Sequence, residues 1–491
     1  MEACYTCRRR RIQCDRSSTP CQKCQKAGLE CVDKRPVRWV QGVAIRGGMR
    51  GRSYDNSSVS LMPVEQFPAR SASVARTPEV KPSMEVAKIA PAMSSIPLSI
   101  SDTTLDSSAR YYLEYYNDRI CQLFIVLDSE NNPFRNLISL ALSDKTLLDA
   151  ALALAARHRA NAAQPFSLNG VNISLIPADA DRDALRYKYR AIHGLSRSIG
   201  TRDAYSDATV ASVFLLVFLD LLESGCDRWN YHLEGAKSLM ALKPSSDPGR
   251  TLERIRTFIV KQIHLIEALG ATFVRPELLS TPSPVDHSEN LLQDVVEESF
   301  LGCPEYILTA VQAFSLQRDA LAHGTSTNAR HSETQSVLDT IKQFDAFAWA
   351  SSHSQKPLKH HIDELCRLAR TYQYGAIIYG QRVLDAFDKK QTNQCMMVSE
   401  LIFLITSLQG SNLLKCALWP IIVAGFECQA QPQREMLIHA LDKFWEDTKC
   451  LNVMNAAKIL QDFWTKTDDN QAVASDWIFE TGRLSDDWLL I

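Results

Sequence analysis

Hydrophobic positions divide this chain into a patterned body and a patternless start. From about Ser101 onward apolar residues recur at helical intervals, as at Leu137, Leu140, Ala141, Leu147, Leu148, Ala151, Leu152 and Ala155, which places them on one face of an amphipathic helix. The two-residue alternation of a strand is scarce. Asn132-Pro133 is a start signal for a helix through Ala163, because the side chain of Asn132 can cap and Pro133 is preset for a first turn. Further helices are predicted at 181–199, 205–222, 229–242, 252–269, 304–322, 334–350, 360–388, 395–409, 411–429, 434–447 and 453–466. The expected body is therefore all-α, over residues 101–466, followed by a tail at 467–491. Residues 53–100 hold ten serines and six prolines and no sustained apolar heptad, the composition of a disordered linker. Residues 1–31 have few large apolar side chains, chiefly Tyr5, Ile12 and Leu29, and cannot build a core of their own.

Composition narrows the class. At 491 residues with 45% hydrophobic and 22% charged positions, the chain is too apolar to be disordered throughout and long enough for more than one domain. Its longest apolar runs, Val213 to Leu219 and Ile421 to Ala424, fall short of the roughly 18 to 20 residues of a membrane span, so no membrane anchor is expected. The first residues lack the apolar core of a secretion signal, which predicts an intracellular protein. A formal net charge of −2 hides an asymmetry: residues 1–52 carry 13 Lys or Arg against 4 Asp or Glu, for +9, and the remainder carries −11. The chain has a cationic head on an acidic body.

Fourteen cysteines in a reducing compartment argue for metal ligands or buried thiols. Six crowd into the head, at Cys4, Cys7, Cys14, Cys21, Cys24 and Cys31. Each of the first three recurs 17 residues later, with the same internal gaps of two and six residues. A Cys-x2-Cys pair brings two thiolates to one metal from a tight turn, and six further residues allow about two helical turns before the third returns. Each half thus supplies three sulfurs where tetrahedral zinc wants four. Two ions sharing two bridging thiolates satisfy both, so the count predicts a binuclear cluster of two Zn2+ ions. No histidine precedes His158, which excludes a Cys2His2 finger here. Zinc would also be what folds the head, since structural sites of this kind contribute on the order of 10–16 kcal/mol.

Between the ligands, the two halves differ. The first inter-cysteine segment is Arg8-Arg9-Arg10-Arg11-Ile12-Gln13, whereas the second, Gln25-Lys26-Ala27-Gly28-Leu29-Glu30, is nearly neutral. Arginine forks fit phosphate oxygens and the O6/N7 edge of guanine in a major groove. A short helix after Cys7 would aim them, which points to double-stranded DNA. Lys23, with Arg16, Lys26, Lys34, Arg35 and Arg38, is a candidate for the phosphates.

These residues resemble the fungal binuclear zinc-cluster (Zn2Cys6) transcription factors, whose pattern Cys-x2-Cys-x6-Cys-x5-12-Cys-x2-Cys-x6-8-Cys is matched at all six positions. The resemblance implies that Cys4 and Cys21 bridge the ions, one held also by Cys7 and Cys14, the other by Cys24 and Cys31. It implies that Arg10 and Arg11 enter the major groove at a CGG-like triplet, with Arg8 nearer the phosphates. Gln13 departs from the lysine that usually precedes the third cysteine, while the acidic residue that follows is present as Asp15. Pro20 stands in the loop where the family carries a proline. The Zn2Cys6 domain is assigned to residues 1–35 and a basic arm to 36–52. The arm resembles the extension of a subgroup that includes acriflavine-sensitivity control proteins, with Arg46, Arg50 and Arg52 either following a groove or forming a flexible tether.

The body carries phrases that resemble the fungal-specific transcription factor domain: Tyr111-Tyr112-Leu113-Glu114-Tyr115-Tyr116-Asn117, Asn132-Pro133-Phe134-Arg135, Trp229-x2-His232-Leu233-x-Gly235-Ala236, and Leu418-Trp419-Pro420-Ile421. They imply a nuclear regulator of RNA polymerase II genes, with a metabolic or secondary-metabolite gene cluster as the expected target. Its partners would be DNA, the transcription machinery and a small-molecule effector. The linker shows no coiled coil, which leaves a monomer or a homodimer through the helical body. No catalytic residues are expected: the body offers no paired-histidine zinc motif, phosphate loop or nucleophile elbow. His360-His361 with Glu364 and Cys366 is its nearest metal-like group. The competing reading is a helical enzyme or small-molecule-binding protein whose zinc head attaches it to RNA or chromatin. The head's single tyrosine beside its ligands is a poor stacking platform for RNA. The tail interleaves acids with aromatics, at Asp476-Trp477-Ile478-Phe479-Glu480 and Asp486-Asp487-Trp488-Leu489-Leu490-Ile491. It fits either an activation segment or a tail docked on the body.

Overall fold

The computed structural model describes residues 4, 6–7, 13–15, 21–27, 31, 105–129, 131–167, 178–199, 206–225, 229–240, 250–274, 299–352, 361–469, 476–480 and 487–491. The chain divides into two compact units, residues 1–90 and 91–491. The linker expected at 53–100 and the basic arm at 36–52 lie outside the described residues. In the first unit a short helix, α1 (Gln22–Lys26), starts at Cys21, whose thiol accepts the Cys24 N–H as its cap.

The described residues of the second unit form helices joined by turns and irregular segments, with an isolated bridge at Trp488. Helix α2 (Ser107–Tyr115) is capped by Asp106, which accepts the Ala109 N–H at 2.6 Å, and passes through a π-turn at Tyr116–Ile120 into α3 (Cys121–Leu123). The expected helix from 133 to 163 is two helices, α4 (Pro133–Ser143) and α5 (Lys145–Asn161). Asp144 divides them: its backbone is extended, and its carboxylate accepts the Leu147 N–H at 2.9 Å, an N-cap inside an unbroken apolar rhythm. Then follow α6 (Ala178–Ser198), α7 (Asp207–Glu223), α8 (Trp229–Met240) and α9 (Arg250–Gly270). Every residue of α7 from Ala208 to Leu222 is buried. A helix apolar on all sides belongs at the centre of a bundle, and α5 and α8 flank it.

The second half comprises α10 (Glu305–Ala322), α11 (Asn328–Lys342), α12 (Ala346–Ser352), α13 (Ile362–Asp388), α14 (Cys395–Ser407), α15 (Leu418–Glu427), α16 (Gln431–Thr448) and α17 (Leu451–Asp468). The helix expected at 334–350 is likewise broken, because Asp345 turns its carboxylate to the N–H groups of Phe347 and Ala348. The one expected at 411–429 shortens to α15 behind a 3-10 turn at Leu414–Cys416. Helix α13 is the axis of this half, with α10, α11, α12, α14 and α15 packed around it, and α17 returns to lie on α7.

Two aromatic knots mark the shared core. Phe124, Phe134, Phe214, Phe218, Phe258 and Phe300 interlock with neighbouring ring centroids 4.5–6.1 Å apart. Phe273, Trp419, Phe426, Tyr379 and Trp477 form the other. Each such ring, once buried, contributes about 1.5–3 kcal/mol.

Trp477 belongs to α18 (Trp477–Glu480) in the tail, and it is fully buried. Its indole N–H donates to Glu427 at 2.7 Å, and Glu427 receives both Nε and Nη2 of Arg382 at 2.6 Å. Farther on, the Leu489 N–H donates to the Gly225 carbonyl at 2.7 Å and Trp229 donates to the Asp487 carbonyl at 3.0 Å. Leu489, Leu490 and Ile491 are buried. The tail is docked on the body, the second of the two arrangements its composition allowed.

Candidate metal centre

The sulfur atoms of the head gather as the spacing demands. Those of Cys4, Cys7, Cys14 and Cys21 lie within 4.8 Å of one another, and so do those of Cys4, Cys21, Cys24 and Cys31. The two groups share Cys4 and Cys21. Among the described residues these are the only groups of three or more metal-type ligands that close in this way. Within the groups, Cys4 to Cys21 is 3.9 Å, Cys7 to Cys21 is 3.7 Å and Cys4 to Cys24 is 3.8 Å. A zinc tetrahedron with bonds of about 2.3 Å to sulfur has edges of about 3.8 Å. Cys7 and Cys24, which belong to different groups, also stand 3.9 Å apart, closer than two tetrahedra sharing an edge would hold them.

The backbone repeats the pseudo-symmetry of the sequence. Cys7 N–H donates to the Cys4 sulfur and Cys24 N–H to the Cys21 sulfur, both at 3.4 Å and both across a three-residue step. The two shared thiols are thus the ones that receive these donors. The Cys7 N–H holds the Cys4 thiol down at about 6, and the Cys24 N–H lowers that of Cys21. Burial does the reverse at the unshared positions: it pushes Cys24 up to about 12 and raises Cys7 as well. Buried thiols of that kind become ligands only when a cation compensates their charge.

An all-sulfur, oxygen-free donor set of this geometry fits zinc. Six thiolates around two divalent ions carry a residual charge of −2, which the inward N–H groups partly offset. The buried cluster of this unit consists of Cys4, Cys7, Cys21 and Cys24 alone, with Cys14 and Cys31 packed against it. Among the described residues, nothing apolar besides thiols fills its centre.

Gln13 and Lys23 are exposed, beside the third ligand and on α1 respectively. Arg8, Arg10 and Arg11 lie outside the described residues. One contact has no sequence signal beyond the presence of an acid: the Asp15 carboxylate accepts the Gln22 N–H at 3.2 Å. It ties the end of the first half to the opening turn of α1. In the body, His361 pairs with Glu364 at 2.8 Å, an i,i+3 pair at a helix start, while His360 lies outside the described residues. His158 meets the Tyr115 hydroxyl and His232 meets Asp220, each at 2.8 Å, and both tie helices together. No helix among the described residues is long and apolar enough to cross a membrane.

Comparison with known proteins agrees with this geometry. Residues 2–39 match the fungal Zn(2)-Cys(6) binuclear cluster domain, and residues 111–491 match the fungal specific transcription factor domain. The acriflavine sensitivity control protein acr-2 of Neurospora crassa is 21% identical, over 95% of this chain and 92% of its own. No solved structure matches.

Proposed function

The chain belongs to the fungal transcription factors that join a Zn(2)-Cys(6) cluster, which binds two zinc ions, to a fungal specific transcription factor domain, and from this membership we propose a sequence-specific regulator of RNA polymerase II genes that acts in the nucleus. The observation that carries the reading is the pair of four-thiol groups sharing Cys4 and Cys21, in a head whose sequence sets four arginines, Arg8 to Arg11, between the second and third cysteines. In this reading Cys4 and Cys21 bridge, Cys7 with Cys14 and Cys24 with Cys31 complete the two sites, and the metal fixes the path of the chain. The segment from Arg8 to Gln13 is thereby held against the major groove. Arg10 and Arg11 read a CGG-like triplet, Arg8 and Lys23 contact phosphates, and Gln13 takes the place of one cationic contact. The helical body regulates rather than catalyses, through the transcription machinery and a small-molecule effector, and the genes served form a metabolic or secondary-metabolite cluster.

The test uses the zinc-loaded full-length chain at physiological salt, titrated with a CGG-containing duplex and a scrambled one. Equal affinity for the two ends the proposal. Arg11→Ala is expected to relax discrimination at one base position by about 1–3 kcal/mol, whereas Lys23→Ala weakens all duplexes alike and lowers the salt slope by about one.

A further inference from the structure

Helix α6 presents a cationic face on a body of net negative charge. Its buried side, Ala180, Ala184, Tyr187, Ala191 and Leu195, packs on α5. On the exposed side stand Arg182, Arg186, Arg190, His193 and Arg197. At about 3.6 residues per turn these five fall within about 80° of arc, along about 22 Å of helix. Tyr189 and Ser196 border the stripe and are exposed with it. Residues 53–491 carry a net −11, so a line of four arginines departs from the rest of this surface.

The two halves of the stripe differ. Arg182 pairs with Asp179 at 2.7 Å and Arg186 with Asp183 at 3.0 Å, so the first half meets its own acids. Arg190 and Arg197 are in no ion pair among the described residues, and neither is Lys145, which is exposed at the first turn of α5. Gly194 lets that turn come close, since a Cβ there would stand 2.4 Å from the Thr146 hydroxyl oxygen. Lys145, Arg186 and Arg190 share one further acidic neighbour, Asp149, on the buried side of α5. Lys145, Arg186, Arg190 and Arg197 set against Asp149 and Asp183 leave two positive charges in excess, at the C-terminal half of α6.

Protein interfaces deplete charge at their centre. Here charge holds the centre, and the exposed Leu185 and Tyr189 lie at its border. Arginine, tyrosine and serine are among the side chains that donate to phosphate oxygens, and arginines about 6 Å apart on a straight line track a repeating backbone rather than one anion. We propose that this face of α6, with Lys145, is a second contact to double-stranded DNA that takes the sugar–phosphate backbone flanking the site the head reads. The inference rests on the reading of the chain as a DNA-bound regulator. Backbone contacts carry no base information, so the body adds affinity and salt dependence without changing which triplet is preferred.

The test measures affinity against salt concentration for the zinc-loaded full-length protein on two duplexes, a short one that holds little beyond the CGG triplet and a long one with random flanks on both sides. The double variant Arg190→Gln, Arg197→Gln is expected to lower the salt slope on the long duplex by about two and to leave the short duplex bound as before. Helical content and melting temperature should not change, because both side chains are exposed. A control that removes two exposed cations of α11, Arg330→Gln with Lys342→Gln, alters net charge equally and should keep the parental slope. Preference for CGG over scrambled sequence reports on the head alone, so its failure is distinct from a failure here. The parental slope in the double variant, an equal loss on the short duplex, or the same loss from the α11 control overturns the proposal, and the first of these outcomes assigns the stripe to an acidic protein segment instead.

Discussion

At the scale of single residues, the cysteines of the head carry two different burdens, and zinc content separates them. Cys4 and Cys21 lie in both four-sulfur groups, Cys31 in one. Replacing Cys4 or Cys21 with serine is expected to lose both ions together, whereas Cys31→Ser keeps one site partly filled. Metal-to-protein ratios of the purified full-length variants measure this, and equal losses in all three contradict the bridging assignment. The ligand set was legible in the sequence because six thiols at repeated spacing leave few ways to complete two tetrahedra. The Asp15 contact was not, because a carboxylate seven residues ahead of a helix start has many other uses until the metal turn brings it round. Asp15→Ala removes an acceptor from the first turn of α1, a loss worth about 0.5–2 kcal/mol. The expected result is two bound ions as before, released at a lower concentration of competing chelator.

Among elements, the tail shows what periodicity cannot read. Its acids and aromatics suit activation and docking equally, and only the partners decide: Trp477 enters an aromatic knot and hydrogen-bonds to Glu427, while the last residues run beside Gly225. Helix existence was legible from apolar spacing, but the breaks at Asp144 and Asp345 were not, since neither is marked by glycine or proline. In both, a carboxylate captures N–H groups of the next turn, a local competition that leaves the hydrophobic rhythm intact. Gly225 joins tail and body at a backbone φ of +69°, and a Cβ there would stand 2.7 Å from Asn452 Cβ and 3.0 Å from the Leu489 carbonyl oxygen. Gly225→Ala should therefore cost about 1–3 kcal/mol. It should also speed hydrogen exchange at the Leu489 amide, which bonds to the Gly225 carbonyl. Unaltered exchange across residues 487–491 would show that the tail is held elsewhere.

For the whole molecule, two units with separate interiors should fail under separate conditions. Among the described residues the head has only thiols at its centre, so a strong zinc chelator is expected to abolish DNA binding while the cooperative melting of the helical unit persists. Acid should act the other way, through His158. This imidazole is nearly buried between the Tyr115 hydroxyl on α2, at 2.8 Å, and the backbone of Thr448 at the end of α16, so it joins opposite ends of the sequence. Burial, aided by the nearby cations Arg119 and Lys449, pushes it from the ordinary 6.5 down to about 4. Between those values the unfolded chain takes up a proton that the folded chain refuses. Stability must therefore fall as pH drops from about 6.5 toward 4, by at most about 3 kcal/mol from this residue. Glu267 and Asp447 work in the opposite direction, since burial raises both and the folded state then binds their protons first. The signature of His158 is thus a difference between proteins: His158→Gln, starting from a lower melting temperature at pH 7.5, should lose less of it by pH 5 than the parent does. Parallel decline in the two would mean that the imidazole takes up its proton at the same pH in the folded chain as in the unfolded one, and that its burial between α2 and α16 does not hold it neutral.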